Sequence, residues 1–95
     1  MVEYYCAITG VDAPDNAPNH FSVGYELREE VTNRVLFAST MAIVVPTEGT
    51  VDQRFQAVVN QLIRHFDDLI ARTASRDEAL QYLRNHLVGQ RHPSA

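Results

Sequence analysis

Residues 34–45, RVLFASTMAIVV, are apolar on both faces of an extended chain, and Pro46 ends the run because it has no amide hydrogen for a ladder. A strand of that kind needs cover on both sides, whereas an antiparallel sheet in a small domain normally shows one polar face to water. The stretch before it settles the orientation. In FSVGYELREE (21–30), Phe21, Val23, Tyr25 and Leu27 point one way, and Ser22, Gly24, Glu26 and Arg28 point the other. A three-residue loop, Val31-Thr32-Asn33, places Asn33 in the left-handed region that asparagine tolerates. It also sets Leu27 against Phe37, Tyr25 against Ser39, Val23 against Met41 and Phe21 against Ile43. A shift of one residue would turn one strand's pattern against the other. Residues 2–9, VEYYCAIT, alternate as a further strand that Gly10 ends.

The rest of the chain reads as helix. Thr50 and Gln53 have capping-box spacing, and apolar residues follow at 51, 55, 58, 59, 62, 63, 66, 69 and 70. Ser75 and Glu78 repeat the signature for a second helix with Ala79, Leu80, Leu83, Leu87 and Val88 as its stripe and Gly89 as its cap. The predicted fold class is α+β: a three-stranded antiparallel β-sheet (β-β-β-α-α) with two C-terminal helices packed on one face. Residues 1–89 form one domain and 90–95 a flexible tail. The predicted core is Tyr4, Cys6, Ile8, Phe21, Val23, Tyr25, Leu27, Phe37, Met41, Ile43, Phe55, Val59, Leu62, Phe66, Leu69, Leu80 and Leu83. Three antiparallel strands before a long helix is similar to the first half of a ribonuclease H-like domain. That family's metal-binding carboxylates have no match in Glu3, Asp67 or Asp68, and no function is carried over.

With the helices on one face, the other face shows Tyr5, Leu36, Ala38, Thr40, Ala42 and Val44. Monomers seldom leave such a surface bare, and small side chains let two sheets approach, so these residues are the expected homodimer interface. The connection between Gly10 and Phe21 is long for a hairpin and rich in turn formers. Asp12, Asp15, Asn16, Asn19 and His20 make it a candidate partner-binding loop, stiffened by Pro14 and Pro18. Glu26, Glu29 and Glu30 add an acidic patch that would steer a basic partner.

Reaction machinery is hard to find. There is no phosphate-cradling glycine run, no nucleophile elbow, no paired Cys-x-x-Cys and no His-x-x-x-His. His65 and Asp68 lie three apart, and Asp12-x-x-Asp15-Asn16 lacks the closing glutamate of a calcium loop. No catalytic residue, metal site or cofactor is expected. The net charge of −4 disfavours nucleic acid, although Arg72, Arg76, Arg84, Arg91 and the aromatic Tyr4 and Tyr5 keep that reading in view. One cysteine cannot form an internal disulfide, and no apolar run reaches the ~18 residues of a membrane span. The expectation is a small, acidic, intracellular and cytoplasmic protein that works by protein–protein binding, as an adaptor, inhibitor or phage or mobile-element accessory factor, and as a homodimer. The alternatives are a small ligand-binding protein or enzyme with a site at the dimer interface, built on His20 or His65 with a carboxylate, and a nucleic-acid-binding or structural assembly subunit.

Overall fold

The structure, a computed structural model, describes residues 2–16 and 18–89. Strands β1 (Tyr4–Asp12), β2 (His20–Glu29) and β3 (Val35–Val44) form one antiparallel sheet in the order β1-β2-β3, followed by a single helix, α1 (Val51–His86). The expected tail at 90–95 lies outside the described residues.

All four expected β2–β3 pairs are present, from Phe21 opposite Ile43 to Leu27 opposite Phe37. The turn that produces them differs from the expected one. Glu29 and Arg34 bond across it (N to O 3.0 Å), so four residues, 30–33, make the loop, with Asn33 at φ 57°. A bulge at Leu36 absorbs the extra residue and restores the register from Leu27 onward. A second bulge, at Thr9, lets β1 continue past Gly10: Ile8 sits opposite Tyr25 and Val11 opposite Val23, so both stay on one face. The bulge needs room. A Cβ on Gly24 would lie 2.9 Å from the Thr9 hydroxyl. The long connection therefore shrinks to residues 13–19, closed by the Val45 amide donating to the Asn19 carbonyl (2.9 Å).

The expected second helix is the one error of architecture. Residues 73–75 contain neither Pro nor Gly, and the Thr73 hydroxyl donates to the Leu69 carbonyl (2.8 Å), satisfying itself within the helix. Nothing there breaks the ladder, and α1 runs for 36 residues, about 54 Å at 1.5 Å per residue. Its start is the expected capping box: the Gln53 amide donates to the Thr50 hydroxyl (3.2 Å) and the Thr50 amide to the Gln53 side chain (2.9 Å). Thr50→Ala is expected to cost about 1 kcal/mol, read as a lower urea midpoint with unchanged slope.

The helix crosses the helix-facing side of the sheet on a diagonal. Near its N-terminus it holds β3, where the Gln61 side chain bonds both the amide (3.1 Å) and the carbonyl (2.8 Å) of Val44. In the middle it lies on β2, with Tyr25 packed against His65 and Phe66 at ring separations of 5.2 and 5.3 Å. Farther along it reaches β1, where the Tyr4 hydroxyl donates to Asp77. One helix about 10 Å wide cannot cover three strands. The middle strand is covered, and of the flanking strands only Ile43 of β3 is buried among the described residues. Among the described residues, Val23, Tyr25, Leu27 and Ile43 are the buried apolar side chains. Of the expected core, Ile8, Phe37, Phe55, Val59, Leu80 and Leu83 are exposed. The last two ride on the part of α1 beyond Asp77, its last contact with the sheet in a hydrogen bond.

The chain is correspondingly elongated, 60 × 35 × 24 Å, with a radius of gyration of 18.8 Å against about 12 Å for a compact domain of its length. No helix among the described residues is long and apolar enough to cross a membrane.

Candidate protein-binding surfaces

The outer sheet face is only partly the one the alternation predicts. Ala38, Thr40, Ala42 and Val44 are exposed along β3, with Val35 joining them through the bulge. Leu36 does not belong there. The same bulge turns it toward the helix, into a cleft with Leu27, Phe37, Leu69, Thr73 and Arg76. Tyr5 is half-buried, its hydroxyl donating to the Asn33 side chain. Beside the small residues runs a polar strip: Arg28 pairs with Glu26 (2.6 Å) and donates to the Asn33 carbonyl (3.0 Å). The Glu26 carboxylate holds the Arg28 guanidinium firmly protonated.

The loop residues separate. Asp12 belongs to β1 and pairs with Ser22, and His20 opens β2 opposite Val44; Asp15, Asn16 and Asn19 lie in the turns between, all exposed. Of the three acids proposed to steer a basic partner, Glu26 is engaged by Arg28 and Glu29 by Arg34 (3.3 Å), while Glu30 is exposed at the hairpin tip.

A larger apolar surface takes in three residues of the expected core, Ile8, Phe55 and Val59. On the β1 side of α1, Phe55, Val59 and Ile63 form a row at i, i+4 spacing. Ile8 and Val11 lie on the helix-facing side of edge strand β1, where the diagonal of α1 leaves them uncovered. These five side chains are between 43% and 65% exposed. Their neighbours on the helix, Gln56 and Asn60, are uncharged and bond to each other (2.9 Å). The pattern of a helix stripe is the same whether a sheet or another chain covers it, which is why spacing alone assigns Phe55 and Val59 to the core.

A cleft of about 700 Å³ opens on the opposite side of α1, lined by Met41, Ala57, Asn60, Gln61, Arg64, His65 and Asp68. It joins His65 to a carboxylate, but both are engaged: His65 Nε2 shares a 2.8 Å hydrogen bond with the Tyr25 hydroxyl, and Asp68 accepts from Arg72. Both groups are thus already hydrogen-bonded, and the lining carries no Ser, Thr, Cys or Lys side chain. Among the described residues no three His, Cys, Asp or Glu side chains come close enough to hold a metal ion. Arg76 likewise pairs with Asp77 (3.1 Å), so two of the C-terminal arginines are bridged to acids.

Cys6 faces the helix opposite Leu27, and burial, then the charge of Asp67, push its thiol pKa upward. Such a thiol stays protonated at neutral pH and reacts slowly. Ellman's reagent at pH 7.5 is expected to label the native chain several-fold more slowly than glutathione, and fully once urea is added. Immediate labelling would mean that β1 and the helix part readily at Cys6.

No protein-family model, curated protein or solved structure matches the chain.

Proposed function

We propose that the protein acts by binding other protein chains and that it does so as a homodimer. The observation that carries this is the thinness of the core: four buried apolar side chains among the described residues of a 95-residue chain. Burying a Val, Leu, Ile or Phe side chain supplies about 1.5–3 kcal/mol, and ordering each residue costs on the order of 1–2 kcal/mol. Half-buried Leu62, Phe66, Leu69 and Ile70 add to it, yet this is a thin core for a 36-residue helix on a sheet. The accessible surface is 7398 Å², against about 5,500 Å² for a compact monomer of 10.7 kDa. The difference exceeds the ~800 Å² that each partner gives to a standard interface. The end of α1 beyond Asp77, carrying Leu80 and Leu83, has the form of a helix that docks into a partner's groove. The loop at 13–19 and Glu30 offer polar contacts for the same or another chain.

Light scattering across a ~100-fold dilution series tests this, because self-association follows mass action. A dimer mass that persists, with unfolding midpoints rising with concentration, is the expected result. A monomer that melts cooperatively, with no concentration dependence and no binding of a hydrophobic dye, would end the reading.

A second reading rests on the cleft at Met41 and His65, whose volume of about 700 Å³ falls within the range of ligand pockets. A melting temperature raised by several degrees on adding zinc or calcium would favour it. An unchanged melt would remove metal from it.

A further inference from the structure

We propose that a second copy of this chain seats on the β1 side of α1, with the two Phe55–Val59–Ile63 rows packed antiparallel. Val59 then meets the partner's Val59, and Phe55 meets the partner's Ile63. The proposal rests on the dimeric reading above and adds the surface and the geometry.

Three observations lead to this surface rather than the outer sheet face. First, the large uncovered side chains are here: Phe55, Val59 and Ile63 on the helix, with Ile8 and Val11 beside them on β1. The outer face offers mostly small residues and the Glu26–Arg28 ion pair, whose charges would have to lose water in a tight contact. Second, the row is self-complementary. A two-fold axis pairs residue i with j and j with i. A three-residue row centred on Val59 therefore matches its own antiparallel copy, and i±4 rows are the ridges that helices most often interdigitate. Third, the rim is compatible at its centre: Gln56 and Asn60 bond each other and carry no charge, and the acids Asp52 and Asp67 stand one turn beyond the two ends of the row.

The occupant follows from the core. The isolated chain buries few apolar side chains and leaves Phe55, Val59 and Ile63 43–64% exposed, so folding gains from a partner that is always at hand. Another copy is the one molecule present whenever the chain itself is.

The test uses full-length V59R and T40R, with far-UV circular dichroism to check folding, and V59C in a C6S background. V59R is expected to raise the apparent dissociation constant roughly 100-fold or more, the scale for a charge placed at the centre of a desolvated contact. T40R, on the outer face, is expected to leave the dimer intact. V59C is expected to oxidise to a disulfide-linked dimer, which requires the two Cα atoms to come within about 7 Å. If V59R unfolds instead, V59C still reads the geometry. A wild-type dimer that T40R dissociates, while V59R stays dimeric and V59C does not crosslink, would overturn this surface and leave the dimeric reading standing. A monomeric wild type would overturn both.

Discussion

Leu27→Ala is expected to remove about 3–4 kcal/mol, within the range for emptying a buried leucine site. Leu27 is 2% exposed, stands opposite both Cys6 and Phe37, and lies on the strand that α1 covers most fully. The loss is large in proportion because the other buried apolar residues described are only Val23, Tyr25 and Ile43. Domains of this size have about 5–15 kcal/mol in all, so the variant should be largely unfolded at physiological temperature. Urea melts at fixed protein concentration measure it. Val31→Ala, 91% exposed at the hairpin tip, is the control and should cost well under 1 kcal/mol. A loss below 1 kcal/mol for Leu27→Ala would mean that the sheet–helix contact is not the core.

The same chemistry at Ile63 separates a bare surface from a covered one. At 50% exposure an isolated chain would lose little on Ile63→Ala. If a second copy covers it, the loss should approach that of a buried site and grow as protein concentration rises.

Much of this arrangement was legible in the sequence, and the rest was not, for reasons particular residues make plain. The strands follow from alternation. The register follows because a one-residue slip would turn Phe21, Val23, Tyr25 and Leu27 away from the face of Met41 and Ile43, and the short hairpin disfavours longer slips. The bulges at Thr9 and Leu36 were not legible, since two residues opposing one is a local geometry with no composition of its own. The second turns Leu36 to the helix side, opposite the face that alternation assigns it. Missing the first ended β1 at Gly10 and made the connection look longer than it is. The helical stripe showed which residues want cover, not what covers them. The stripe therefore includes Phe55 and Val59, which the chain itself leaves open.

The continuity of α1 has the sharpest test. Arg76→Pro is expected to cost about 3 kcal/mol or more, because proline lacks the amide that bonds the Arg72 carbonyl and its ring clashes with that carbonyl. Had Ser75 capped a second helix, residue 76 would be its first position, where proline is favoured, and the same change would be harmless. The two arrangements thus differ in the sign of one substitution. Arg76→Ala separates the side chain from the backbone. Arg76 pairs with Asp77 at an exposed site, so its loss should cost no more than about 0.5 kcal/mol. With proline, the helix should fray beyond residue 76. That would loosen Asp77 from Tyr4 and disorder the overhang that carries Leu80 and Leu83, while Phe55, Val59 and Ile63 stay on intact helix. The variant should therefore still form the dimer proposed for that row and fail to present its projecting end. Loss of dimer mass in Arg76→Pro with the 51–70 helix intact would show instead that the overhang holds the two copies together.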